Sequence, residues 1–372
     1  MGKIIHPINF RKKRKNNLFL VFIVVIGVVI YFAQTNSELT TKTANSIREN
    51  GFGSILTQLA PPVAYIKPGN SALLATAKWV PQTFNNCVPA GTAMILQYFG
   101  HSVSQEETKN QLRTNADDKN VFISEVSTYL KNDYEIQNKV LFNGNLETIK
   151  TLVANGIYVA VEDFLHPNED IGHFLIIRGF DDNERVLIAD DSYFGVGIKY
   201  PYKTWDEGQW KPYNREFMPV YPREKEGLVK AIIGENWDEK TMYQNSVVRN
   251  QKDVDKNPND MYALFNLGTS YFALGEFDMA KDAFEKSQAI GWPNRMLWYF
   301  LEPVQTYNKL GLYQKAIDTA NLGLWFNDNY AEMHYEKAFA YKNLGDLGKS
   351  KQELDKAFSL DVDLKDLYNI HS

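Results

Sequence analysis

The chain contains one cysteine among 372 residues. A single thiol rules out a disulfide framework and any thiolate-rich zinc site. A surplus of positive charge is also missing. Its 40 Lys and Arg stand against 45 Asp and Glu, a formal net charge of −5, which leaves no basic excess for a dedicated nucleic-acid binder. No Gly-x-x-x-x-Gly-Lys phosphate loop occurs. Long apolar runs are confined to one place near the N-terminus. What is present, 44% hydrophobic side chains over this length, is too apolar for disorder and too long for one ordinary core, so two domains with extra segments are expected. Partners are sought among proteins and peptides.

Residues 1–17 carry Lys3 and the run Arg11-Lys12-Lys13-Arg14-Lys15 with no acidic residue, and read as a basic cytoplasmic tail. Leu18 to Ala33 is then uninterrupted apolar sequence. At ~1.5 Å per residue, with Asn16, Asn17 and Gln34 at the interfaces, it comes close to the ~30 Å hydrocarbon core. Residues 18–34 are therefore expected to form a single transmembrane helix. The basic tail keeps its own side cytoplasmic and sends the bulk of the chain across the cell membrane. A cleaved leader would end in a small-x-small site, for which Tyr31 is unsuited. Residues 35–75, with Pro61-Pro62 and Lys67-Pro68-Gly69-Asn70, read as a linker or stalk.

Residues 76–222 mix short β-branched and aromatic runs with amphipathic helices, the texture of an α+β domain. Inside it, Asn85 or Asn86 can cap a helix that has Pro89 in its first turn and Gly100 just past its end. Cys87 then sits at a helix N-terminus, where the dipole favours thiolate over thiol. A lone cysteine is ordinarily a small buried hydrophobe, so its meaning depends on a base elsewhere. Gly172 to Phe180 reads as a buried strand with His173 near its start, Asp181 to Glu184 as a turn, and Val186 to Asp191 as the returning strand. A hairpin pivoting near residue 182 puts His173 opposite Asp190 or Asp191, and a one-residue shift of register exchanges the two.

The spaced motifs Gln82…Cys87-Val88-Pro89-Ala90, Gly172-His173-Phe174 with Gly179-Phe180-Asp181-Asp182, and Asp190-Asp191-Ser192-Tyr193-Phe194-Gly195 resemble those of the bacteriocin-processing (double-glycine) peptidases, cysteine-peptidase family 39, in the papain-like superfamily. The resemblance covers about 150 residues. It implies a papain-like fold in which Cys87 is the nucleophile, His173 the base, Asp191 the orienting carboxylate and Gln82 the oxyanion donor beside the Cys87 backbone N–H. Val88 stands where the family usually has Gly. Family members are commonly fused to an ATP-driven exporter; without a phosphate loop here, leader processing does not carry over.

The acidic residues Glu162, Asp163, Glu169 and Asp170 lack the alternation and central Gly of a calcium loop and read as a solvated loop. No metal or cofactor is expected. Residues 223–259 read as a helical connector or capping half-repeat. From 260 to 372 the chain is periodic: Tyr271, Tyr307 and Tyr341 recur at spacings of 36 and 34, each followed by Gly275, Gly311 or Gly345 and then Ala280, Ala316 or Ser350. These helix hairpins resemble tetratricopeptide repeats, an all-α array, with Pro303 kinking or delaying the first helix of the second copy. The expectation is a membrane-anchored extracytoplasmic cysteine peptidase acting on a peptide or protein, its repeats binding substrate or partner. The alternative is a catalytically inactive peptide-binding or scaffold protein at the membrane.

Overall fold

The computed structural model describes residues 63–113, 115, 117, 120–167 and 169–367. The helix expected at 18–34 lies outside them. Among the described residues no helix is long and apolar enough to cross a membrane.

The N-terminal half is built on one antiparallel sheet. Its strands are β1 (Ser71–Leu73), β2 (Gln137–Asn138), β3 (Tyr158–Phe164), β4 (Gly172–Asp181), β5 (Val186–Asp191), β6 (Gly195–Pro201) and β7 (Phe217–Tyr221). They run in the order β2-β7-β3-β4-β5-β6, with β1 paired to the far end of β4. Strand β1 therefore lies inside the 35–75 span read from sequence as linker. The apolar row Phe174 to Ile177 is fully buried because β4 is covered on both faces. One face packs under α1 (Cys87–Tyr98), α2 (Gln105–Leu112) and α3 (Ile123–Tyr134), burying Ala160, Phe174, Ile176 and Met218. The other face buries Val159, Val161, Leu175 and Ile177 with α4 (Leu146–Ala154) and the helical turns that hold Trp205 and Trp210. Helix α1 approaches the sheet closely at Gly91, where a Cβ would lie 2.4 Å from the Phe174 ring.

After α5 (Glu226–Ile233), a long α6 (Glu239–Lys256) leads into hairpins α7 (Met261–Ala273)/α8 (Phe277–Ile290), α9 (Glu302–Lys309)/α10 (Tyr313–Phe326) and α11 (Ala331–Asn343)/α12 (Leu347–Leu360). Gly275, Gly311 and Gly345 all turn with positive φ, as the inter-helix corner requires. Ala280, Ala316 and Ser350 are buried where paired helices meet. Pro303 falls in the first turn of α9, so the helix starts late and is only 8 residues long. The segment ahead of it packs into the array through Met296, Leu297 and Phe300, and reaches the sheet domain through Arg295 and Tyr299.

Candidate active site

Cys87 is the first residue of α1, and Asn86 precedes it at the cap position. Asn86 does not cap with its side chain: its amide donates to Thr83 Oγ1 at 2.6 Å and its carbonyl accepts from Arg113 at 2.6 Å. The helix start is thus held from outside, and Cys87 remains partly exposed at its mouth. His173, 4% exposed, is the second residue of β4, with its imidazole beside the Cys87 thiol. Its Nε2 lies 2.9 Å from Asp191 Oδ2. Burial disfavours the charged ring, but the hydrogen bonds to Asp191 and Cys87, together with their charges, overcome it and raise the His173 pKa to about 10. Asp191, fully buried, is opposed by burial as well, yet its bonds to His173, Tyr200 and the Phe194 N–H hold it below the usual carboxylate range. The Tyr193 and Phe194 N–H groups bind Asp191 Oδ1 at 2.6 and 2.9 Å.

The structure also separates the two aspartates. A bulge between Ile177 and Gly179 shifts the β4–β5 register, pairing Leu175 with Asp191 and Ile176 with Asp190. Asp191 therefore shares the His173 face, two residues along. Asp190 points the other way and is saturated: Oδ1 accepts from Arg178 Nε (2.6 Å) and the Gly197 N–H (3.0 Å). Its Oδ2 accepts from Thr76 Oγ1, the Ala77 N–H and Tyr98 Oη. Gln82 is sewn to the residue after Asp191, since its N–H donates to the Ser192 carbonyl at 2.9 Å and Ser192 Oγ donates to Gln82 Oε1 at 2.8 Å. With the oxygen occupied, the Gln82 NH2 is the end left to act as a donor.

Four neighbours had places that were not legible in the sequence. Glu162 and Asp163 lie on β3, so the solvated-loop reading fails for them. Asp163 pairs across the ladder with His173 and is fully buried. Trp205 Nε1 donates to its Oδ2 at 2.7 Å while Oδ1 has no partner among the described residues. Burial raises its carboxyl to about 8, against the pull of His173 and the Trp205 bond. Tyr200 Oη donates to Asp191 and shields that carboxylate. Tyr299 arrives from the repeat array, its hydroxyl accepting from the Gly172 N–H at 2.8 Å, while Arg295 binds Asp170 at 2.6 Å. Only the alternation of β6 hinted at Tyr200, and no local pattern points to Tyr299.

This fold and row of side chains define the class: an antiparallel sheet-and-helix domain with a thiol at a helix start, followed by helical repeats. More specifically, residues 74–218 match the model of the peptidase C39 like family, and residues 262–290 and 331–362 match that of the tetratricopeptide repeat. The chain thus carries a peptidase C39-like domain followed by tetratricopeptide repeats. Its middle repeat, shortened by the late start of α9, lies outside the matched segments. Among solved structures, the chain is similar to a C39-like peptidase from Bacillus anthracis (13% identity, TM-score 0.36, 42% of this chain and 99% of that one). It is also similar to MamA (20% identity, TM-score 0.33, 37% of this chain and 78% of that one). A curated relative, the N-alpha-acetyltransferase 16 NatA auxiliary subunit of Homo sapiens, is 38% identical over 72 residues, 19% of this chain. The chain spans only 8% of that relative's length, and the Mus musculus counterpart matches to the same extent.

Proposed function

We propose that the protein is a cysteine peptidase that hydrolyses peptide bonds through Cys87, His173 and Asp191. The observation that carries this reading is the imidazole of His173 placed between the Cys87 sulfur and the Asp191 carboxylate. The thiolate attacks the peptide carbonyl, and the oxyanion is held by the Gln82 amide and the Cys87 backbone N–H. The imidazolium then gives its proton to the leaving amine. Water, deprotonated by the same imidazole, hydrolyses the acyl-enzyme and frees the thiol. Asp191 keeps the ring oriented and stabilises its charge. In this reading the basic tail and the apolar 18–34 segment anchor the chain in the cell membrane with the bulk outside the cytoplasm. The repeats gather substrate or a protein partner.

Alkylation of the single thiol by iodoacetamide tests the chemistry directly. At pH 6.5 the unmodified chain should react about a hundredfold faster than His173→Ala. Equal, slow rates in both would refute the ion pair and leave a peptide-binding module without turnover.

A further inference from the structure

The two donors of the proposed oxyanion pocket, Gln82 and the Cys87 N–H, are separated by four residues that close into a turn. The Asn86 N–H donates to the Thr83 carbonyl at 3.1 Å, and Asn85 holds a left-handed φ of 58°, which asparagine tolerates better than most residues. Thr83 and Phe84 are exposed, so burial does little to support the turn. Its support comes from α2. Gln105, the first residue of that helix, accepts from the Thr83 N–H at 3.0 Å and donates to Thr83 Oγ1 at 3.2 Å. Arg113, just past its last residue, lays its guanidinium over the other end of the turn. Its Nη1 donates to Asn86 Oδ1 at 2.6 Å and its Nη2 to the Asn85 carbonyl at 2.5 Å. Between the two, Thr108 Oγ1 donates to the Pro89 carbonyl at 2.8 Å and fastens α2 to the first turn of α1.

The fork also decides what Asn86 does. Asparagine is among the best residues for capping a helix start, its side-chain oxygen accepting from the N–H of the second or third helical residue. In α1 the third is Pro89, which has no N–H, so the second, Val88, carries the donor a cap would take. Asn86 does not take it, because its Oδ1 is turned to Arg113. Meanwhile the Asn86 main-chain carbonyl accepts from the Ala90 N–H at 3.0 Å, which fixes the peptide plane that carries the Cys87 N–H. That N–H, the first of the helix, has no intrahelical acceptor. The guanidinium therefore draws off the side-chain oxygen best placed to compete with a substrate oxyanion, and it pins the turn that sets Gln82 against Cys87.

We infer, resting on the peptidase reading, that Arg113 is a positioning residue of the oxyanion pocket. It acts through Asn85 and Asn86 and touches neither the thiol nor the substrate. Its planar fork is what the task requires, since two oxygens of successive residues are held at once, and a lysine ammonium offers no such pair of parallel donors. The thiol, held by its own contacts with His173, is not the group Arg113 serves.

Two reagents on the single thiol of the full chain separate these roles. With iodoacetamide the sulfur displaces iodide from a saturated carbon, and no oxyanion forms. With N-acetylglycinal, a minimal peptide aldehyde, the sulfur bonds to the carbonyl carbon and the π pair passes to oxygen. That oxygen needs the pocket until it takes the imidazolium proton. Protection of Cys87 from iodoacetamide by the aldehyde gives the aldehyde's Kd. Arg113→Gln should weaken it about tenfold or more, while the alkylation rate without aldehyde stays within about threefold of the parent chain. Arg113→Lys, which keeps the charge and loses the fork, should still weaken it at least about fivefold. Thermal melting confirms that each variant is folded. Undiminished protection in either variant overturns the inference, and so does a loss of alkylation as large as the loss of protection, which marks a general loosening. No protection in the parent chain itself refutes the oxyanion pocket and the peptidase reading together, an outcome distinct from the other two.

Discussion

Replacing Asp163 by asparagine isolates one buried proton. The carboxyl is fully buried and, among the described residues, holds a single hydrogen bond, from Trp205, with no partner for Oδ1 beside the His173 strand pair. Burial raises its pKa to about 8 from the ordinary 3.8. A carboxyl raised in the folded state binds its proton more tightly there than in the unfolded chain. It therefore adds stability fully below pH 3.8 and loses it as pH climbs through about 8. The whole loss is on the order of 5 kcal/mol. The amide of the Asp163→Asn variant resembles the protonated acid, accepts from the same Trp205 N–H and has nothing to ionise. The variant's stability relative to the parent chain should rise by about 1.4 kcal/mol per pH step between pH 4 and 8 and level off beyond. Urea unfolding at pH 5, 7 and 9, followed by the emission of the buried, stacked Trp205 and Trp210, measures this directly. His173, raised to about 10, begins to lose its own contribution only above pH 6.5, so the difference between the chains from pH 4 to 6.5 reads Asp163. Any cost of burying the amide NH2 is the same at every pH. Parallel stability profiles for the two chains would refute the buried, protonated Asp163.

Two further substitutions separate architecture from chemistry. Tyr299→Phe removes the acceptor of the Gly172 N–H, so melting should show a cost of about 1 kcal/mol, and iodoacetamide should show several-fold slower alkylation of Cys87. Asp190→Asn leaves the Arg178 guanidinium, 8% exposed, without its counter-charge, and chemical denaturation should register a loss of about 3–5 kcal/mol.

The site's first members were legible because their chemistry is local: a cysteine at a helix start, a histidine opening an apolar strand, and acids closing the next strand. The choice between Asp190 and Asp191 was not, since it hangs on the extra residue of the bulge beyond Ile177, which no alternation of apolar residues reveals. The repeats were readable from Tyr–Gly spacing, and the late start of α9 from Pro303. Strand β1 escaped notice because three residues directly after the turn-forming Lys67-Pro68-Gly69-Asn70 carry too little pattern, and pairing with β4 rather than propensity makes them a strand. Glu162 and Asp163 were misplaced because acidic residues ordinarily mark solvent, whereas here the sheet and the array close over them. Tyr299 depends on contacts 127 positions apart in the chain, beyond any local signal.

The Tyr299 hydroxyl has a practical corollary. Cutting the gene after the sheet domain would deprive the strand bearing the imidazole of a partner. An isolated front half would then be a poor proxy for the parent, and changes in the rear helices should be felt by the sulfur even where no guest molecule touches them.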